Sequence, residues 1–159
     1  MSYKLHQLDF SVPSMQVFES IKNEDWSIFL NSNSKHYPDQ RFDILSAKPK
    51  KKIIFSDDNT YLINGDQQPK KSELCPFELL KKIMSDYKSN SNPEIPFCGG
   101  AIGYISYDYG NHLHNIENKN KCFSHPLFAF GIYDWAVIYD YAQEKSFLLY
   151  HEKNSITEN

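Results

Sequence analysis

Pro96-Phe97-Cys98-Gly99-Gly100-Ala101-Ile102-Gly103-Tyr104-Ile105-Ser106-Tyr107-Asp108 sets three glycines among residues that otherwise favour strands. Glycine inside a strand weakens it, so its presence predicts a bulge or a close approach by another backbone. Alternation places Ala101, Gly103, Ile105 and Tyr107 on one face and Ile102, Tyr104 and Ser106 on the other. The first face runs from small to large side chains. That pattern suits a strand packed tightly against a second sheet and opening onto a pocket at its Tyr-Asp end. Glycine clusters also wrap phosphates, but the Walker pattern needs Lys-Ser or Lys-Thr after its last glycine, and the dinucleotide fingerprint needs a helix to follow. Here Tyr104-Ile105-Ser106-Tyr107 continues a strand. The segment reads as a core strand rather than a nucleotide loop.

The 159 residues are one domain's worth of chain, enough for a real core. Eleven Tyr and eleven Phe suit a β-rich interior. A net charge of −3 offers no basic footprint, which argues against nucleic acid as a partner. No apolar run approaches the roughly 20 residues that span a membrane. Met1-Ser2-Tyr3-Lys4-Leu5-His6 lacks the apolar core of a signal peptide. Cys75, Cys98 and Cys122 form no close pair, which points to reduced thiols in a cytoplasmic protein.

Outward from the glycine segment, Val12-Pro13-Ser14 reads as a helix entry, with Val17, Phe18 and Ile21 on one face and Asn23-Glu24-Asp25 as its end. Trp26-Ser27-Ile28-Phe29-Leu30 is an apolar run too short for a helix, hence a buried strand. Phe42 to Ala47 and Ile53-Ile54-Phe55 read as strands around Lys48-Pro49-Lys50-Lys51-Lys52, a solvated turn whose lysines discourage edge pairing. Tyr61-Leu62-Ile63 precedes an Asn64-Gly65 turn. Pro76 opens a helix on which Phe77, Leu80, Ile83, Met84 and Tyr87 recur at three- and four-residue spacing, with Lys81, Lys82 and Asp86 on the wet side. It ends in Ser89-Asn90-Ser91-Asn92-Pro93. Residues 110–124 read as irregular. Phe128 to Tyr133, Trp135 to Tyr139 and Phe147 to Tyr150 complete a strand-rich half, and the polar tail from His151 on reads as frayed. The expected fold class is α+β: an antiparallel, β-rich, sandwich-like domain over residues 1–159 with about two helices.

Few residues suggest chemistry. His112, His114, Cys122 and His125 match no standard zinc spacing, and solvated loop histidines are the simpler reading. Cys98 has no base nearby in sequence and reads as a small hydrophobe. Asp43, Asp108 and Asp134 sit beside aromatics without forming an acid–base pair. The most suggestive polar set is Ser32 with Asp39, Gln40, Arg41 and Phe42. Arg41 or Lys35 suits a ligand carboxylate, Ser32 and the loop backbone suit its polar groups, and Phe42 suits its apolar part. The plainer reading is a capped loop with an Arg41–Asp43 surface pair worth little.

Three segments occur in order: Trp26 to Ser32 with His36-Tyr37-Pro38-Asp39-Gln40-Arg41-Phe42-Asp43-Ile44; the Phe97 to Asp108 run; and Phe130-Gly131-Ile132-Tyr133-Asp134-Trp135-Ala136. Together they resemble the amino-terminal domain of the aminodeoxychorismate synthase component I and anthranilate synthase component I family, over roughly Asp25 to Lys153. The Arg41-Phe42-Asp43-Ile44 and Gly131 to Trp135 segments look like the aminodeoxychorismate, or para-aminobenzoate, branch. Leu30-Asn31-Ser32, where anthranilate synthases typically carry Leu-Glu-Ser, points the same way.

The resemblance implies a part of an enzyme that aminates chorismate on the route to folate, with Mg²⁺ and with ammonia from a glutamine amidotransferase subunit. It implies a pocket for L-tryptophan in this domain, at Ser32, Asp39, Gln40, Arg41 and Phe42. Asp39 and Gln40 depart from the small or aromatic residues commoner there. The family's magnesium-binding and chorismate-binding residues belong to a large carboxy-terminal domain, and the chain reaches Asn159 before it. No catalytic residue, metal ligand or cofactor is therefore assigned to this chain, which is expected to be inactive alone and to dock on a catalytic half. The alternatives are a stand-alone amino-acid-binding regulatory module and a fragment of an anthranilate synthase component I.

Overall fold

A computed structural model describes residues 3–32, 40–86, 92–114, 116 and 125–151. They fall into two compact units, Met1–Lys48 with Tyr87–Gly100 and Tyr133–Asn159, and Pro49–Asp86 with Ala101–Ile132. Each unit is built on a five-stranded sheet. The mixed α+β class and the antiparallel pairing are as expected.

In the first unit the strands are β1 (Tyr3–Leu8), β2 (Ile28–Leu30), β3 (Phe42–Ser46), β9 (Trp135–Asp140) and β10 (Lys145–His151), ordered β1-β10-β9-β3-β2. Alternation gives the sheet two apolar faces. Leu45, Val137 and Tyr139 form one, covered by Val17, Phe18 and Ile21 of helix α1 (Ser14–Ile21). Ala136, Ile138 and Leu149 form the other, with Phe42, Ile44, Ile95 and Phe97 against them. The helix entry at Pro13 is as anticipated, with Pro13 extended at the N-cap.

The second unit holds β4 (Lys51–Ser56), β5 (Asn59–Asn64), β6 (Lys70–Ser72), β7 (Gly100–Ile105) and β8 (Phe128–Tyr133), ordered β6-β5-β4-β8-β7. Its helices are α2 (Pro76–Asp86) and the five-residue α3 (Tyr109–Leu113). Cys75 and Glu78 cap α2 reciprocally: the Cys75 amide donates to Glu78 Oε2 at 3.3 Å and the Glu78 amide to Cys75 Sγ at 3.5 Å. Phe55, Phe77, Tyr109 and Phe128 meet edge to face or tilted, with ring centroids 5.2 to 6.1 Å apart.

Several expectations need correction. The glycine strand is not a core strand. β7 is an edge of its sheet, its Tyr104 and Ile105 are exposed, and Tyr107 beyond it is 93% exposed, so its Tyr-Asp end lies on the surface. The close backbone approach is real: a Cβ on Gly103 would lie 2.0 Å from the Ala129 carbonyl oxygen of β8. The Trp26 to Leu30 run is not a buried strand either. Trp26 has a φ of 49°, and the three-residue β2 that follows is an edge with Leu30 exposed.

The lysine run is not a turn within one sheet. Lys51 and Lys52 belong to β4, the centre of the second sheet, Lys52 is buried, and β3 lies in the other sheet. Along α2 the buried positions are Pro76, Leu79 and Ile83, while Phe77 is exposed. Tyr87, also expected on that stripe, lies outside the described residues. β1, β6 and α3 are elements that the sequence pattern did not announce, and His151 is a buried strand residue rather than part of a frayed tail. The Asn64-Gly65 turn is as expected, with Gly65 at φ +52°.

Candidate functional site

The described members of the polar set singled out in the sequence, Ser32, Gln40, Arg41 and Phe42, lie at one end of the first sheet. β2 and β3 run antiparallel with Leu30 opposite Ile44, so the chain leaving β2 brings Asn31 and Ser32 to the start of β3. There the organising group is the Asp43 carboxylate, only 1% exposed. Its Oδ1 accepts from the Ser32 amide at 2.8 Å and the Ser32 hydroxyl at 3.1 Å. Its Oδ2 accepts from Ser14 Oγ at 2.7 Å, Tyr141 OH at 2.8 Å and Asn31 Nδ2 at 3.2 Å.

Five donors thus fill the roughly four lone-pair positions of one carboxylate. A buried negative charge is tolerated where hydrogen bonds replace water in this way. Ser14 and Tyr141 also touch, Oγ to OH at 3.0 Å. Burial, first of all, pushes the Tyr141 hydroxyl up to about 12, and the Asp43 carboxylate beside it adds to the effect.

Arg41 points elsewhere. Its Nε donates to Asp140 Oδ1 at 2.8 Å and its Nη2 to Oδ2 at 2.6 Å, and its guanidinium sits 4.5 Å from the centroid of the Phe42 ring. The same Asp140 oxygen that meets Nε accepts from the Ala142 and Gln143 amides of the turn after β9. These bonds, led by the one from Arg41, hold the Asp140 carboxyl below the usual carboxylate range. The expected Arg41–Asp43 pair is therefore replaced by Arg41–Asp140.

The structure brings Arg41 and Phe42 together and Ser32 and Asp43 together. It does not converge all of them on one point. Phe42 belongs to the face built on Ala136, Ile138 and Leu149, whereas Asp43 and its donors alternate to the α1 side. Gln40 is exposed, and Asp39 and Lys35 lie outside the described residues. Chemically, Ser32 spends its one hydroxyl proton on Asp43 and offers a ligand only lone pairs. Arg41 has Nη1 as the nitrogen that Asp140 does not engage. The hub itself was missed in the sequence, where the only signal was a carboxylate inside an otherwise apolar strand.

The other candidates stay separate. His112 Nδ1 lies 3.2 Å from Asp58 Oδ1, and its ring packs at 4.7 Å on Phe55. His114 and His125 are exposed, and Cys122 lies outside the described residues. Among the described residues no three His, Cys, Asp or Glu side chains group so as to hold a metal ion. Cys98 offers its carbonyl, not its thiol, to His151, whose Nε2 donates at 2.7 Å. Gly99, at φ +89°, passes directly over that imidazole, where a Cβ would lie 2.5 Å from Nε2. Among the described residues no helix is long and apolar enough to cross a membrane.

The family model described as chorismate binding enzyme matches residues 27–159. The chain belongs to that family. It is 28% identical over 137 residues to the aminodeoxychorismate synthase component 1 of Escherichia coli K12, covering 84% of this chain and 30% of that protein. It is 27% identical over 150 residues to the anthranilate synthase component 1 of Lactococcus lactis, covering 91% of this chain and 30% of that protein. Its fold matches anthranilate synthase component I from Streptococcus pneumoniae TIGR4, with a TM-score of 0.58 over 93% of this chain and 31% of that one, at 24% identity. The chain thus spans about three-tenths of the length of the relatives it matches.

Proposed function

We propose that this chain is the amino-terminal, scaffolding part of a component I of the aminodeoxychorismate synthase kind. Such an enzyme aminates chorismate towards para-aminobenzoate, with Mg²⁺ and with ammonia from a glutamine amidotransferase subunit. The observation that carries the reading is the match to relatives of that name along most of this chain but under a third of theirs. In this reading Mg²⁺ and the amination chemistry belong to the chorismate-binding portion that the resemblance implies. The Arg41-Phe42-Asp43-Ile44 segment, which resembles the aminodeoxychorismate branch, and the aminodeoxychorismate synthase component 1 relatives of E. coli and Klebsiella aerogenes support that branch. A cytoplasmic location goes with this reading.

Within it, the residues proposed for an amino acid of the tryptophan kind are those the resemblance implies, Ser32, Asp39, Gln40, Arg41 and Phe42, with Ser32 and Arg41 as the polar contacts. Ser32 Oγ, committed as a donor to Asp43, is ready to accept from the ligand's ammonium. Arg41 Nη1 is the group for its carboxylate.

Two measurements test this. The chain is combined with the chorismate-binding portion of the E. coli relative, chorismate, Mg²⁺ and ammonia, and the product is identified. Aminodeoxychorismate formed only with both pieces present is the expected result. Anthranilate would favour the second reading, which the Lactococcus relative supports; no dependence on this chain would end both. Tryptophan is titrated by calorimetry into wild type and Ser32→Ala, with binding expected for the first and weakened in the second. Heat from neither sinks the pocket.

A further inference from the structure

Asn64-Gly65 is the one Asn-Gly pair in the sequence. Asn64 is the last residue of β5 and stands opposite Lys51 of β4, and the Gln67 amide closes the turn on the Asn64 carbonyl at 3.0 Å. Gly65 is exposed at φ +52°, and a Cβ there would meet nothing within 4 Å. A side-chain amide just before so unhindered a peptide nitrogen is open to attack by it, since glycine shields the nitrogen least and bends most freely. Two features of the fold oppose that attack. As a strand residue Asn64 is held extended, whereas ring closure folds its side-chain carbonyl carbon back onto the next nitrogen. The Gly65 N–H also donates to the Lys50 carbonyl at 2.8 Å, and the Lys50 N–H donates in turn to the Ile132 carbonyl at 2.9 Å. The Gly65 nitrogen has to leave that ladder and lose its proton before it can react.

We propose that Asn64 is a site of spontaneous deamidation and isomerisation, gated by opening of the Gly65–Lys50 hydrogen bond. The deprotonated Gly65 nitrogen bonds to Asn64 Cγ. The Cγ–Nδ2 bond breaks, and Nδ2 leaves as ammonia with the proton that Gly65 gave up. Water then opens the cyclic imide at either carbonyl, so that amide plus water becomes acid plus ammonia. The two products fit the fold differently. Aspartate leaves the main chain as it was and sets a carboxylate opposite Lys51, a favourable cross-strand pair. Isoaspartate routes the main chain through Cβ, which adds a carbon ahead of Gly65 and draws its amide off Lys50. Because Lys50 also holds Ile132, the adjoining ends of β5, β4 and β8 loosen together.

Ageing the full chain at mildly alkaline pH, native and unfolded in guanidinium chloride, tests it. The peptide containing Asn64 is followed by mass and by methyl transfer from S-adenosylmethionine with an isoaspartyl methyltransferase. The expected result is slow conversion of Asn64 in the native chain and conversion about tenfold or more faster in the unfolded one. The native rate rises in step with hydrogen exchange of the Gly65 amide as denaturant is added below the unfolding transition. Asn64→Gln, whose longer side chain closes a less favourable ring, folds as wild type and gives no product at that position. The separated isoaspartyl chain unfolds at lower denaturant than the unmodified chain, whereas Asn64→Asp does not. Asn64 that stays intact in the native chain overturns the site. Equal rates in the native and unfolded chains, or a native rate that does not follow Gly65 exchange, overturn the gate. An isoaspartyl chain as stable as Asn64→Asp overturns the structural consequence.

Discussion

Arg41 and Asp140, 99 residues apart in sequence, are clamped by two parallel hydrogen bonds, Nε to Oδ1 at 2.8 Å and Nη2 to Oδ2 at 2.6 Å. The pair ties the residue just before β3 to the last residue of β9, next to the register pair Phe42–Asp140. Its Asp140 end is almost fully buried, so the carboxylate depends on the fork that Arg41 supplies.

That dependence has a pH signature. The folded-state pKa of Asp140 lies below its ordinary value of 3.8, chiefly through the Arg41 bond. The stabilisation is therefore present above the unfolded-state pKa and is lost as pH falls through the lower folded-state value. Asp140→Asn is expected to lower the urea midpoint at neutral pH, with the gap to wild type starting to narrow only as pH falls below about 4 and closing below the folded-state pKa. Arg41→Lys keeps the charge but loses the fork, and recovers only part of the difference. Parallel urea melts at stepped pH measure both.

Asp43 makes a sharper demand. Asp43→Ala removes the shared acceptor of five donors from Ser14, Asn31, Ser32 and Tyr141, of which Ser14 is buried, at an expected cost of about 3 kcal/mol. Asp43→Asn keeps the shape but turns two acceptors into one, and is expected to cost about 1–2 kcal/mol. Denaturant unfolding with an unchanged slope checks that stability, and not the compactness of the unfolded chain, has moved.

Tyr141 predicts behaviour at the alkaline end. Its folded-state value of about 12 lies above the ordinary 10.0, so the stability it contributes is complete below pH 10 and is lost as pH rises towards 12. Tyr139 and Tyr109 are shifted in the same direction by burial and share in the loss. Tyr141→Phe is expected to flatten, without abolishing, the fall in urea midpoint between about pH 10 and 12. An identical slope in the variant would count against the buried setting of the hydroxyl.

Gly103→Ala is expected to cost roughly 2 kcal/mol or more, because its Cβ must displace the β8 backbone at Ala129 and Phe130 rather than a movable side chain. Gly110→Ala, whose Cβ meets nothing within 4 Å, is the control and should leave stability nearly unchanged. Thermal unfolding of the two variants against wild type separates them.

What could be read from the sequence was local. α2 followed from apolar residues three and four apart after Pro76, and β3, β4, β8 and β9 from short β-branched and aromatic runs. β1 escaped because Tyr-Lys-Leu-His-Gln-Leu is half polar, as an edge strand with four exposed residues is free to be. α3 escaped because a five-residue helix with only Tyr109 buried leaves no periodicity. The lysines of β4 misled because charge was taken for a turn, when Lys52 is buried in a central strand. At the site, local spacing suggested an Arg41–Asp43 pair. Alternation would put positions 41 and 43 on one face, but Arg41 precedes β3 and its guanidinium lies over the Phe42 ring on Asp140, while Asp43 takes its donors from Ser14, Asn31, Ser32 and Tyr141.

One pairing bears on how the protein is made. Tyr3 lies opposite His151 and Leu8 opposite Ser146, so β1 has its only strand partner at the far end of the described chain. A ribosome adding roughly 5–20 residues per second leaves β1 without that partner for roughly 7–30 s. The second unit, whose strands all lie between Lys51 and Tyr133, emerges complete within that interval. Synthesis therefore imposes an order: the sheet begun first is closed last.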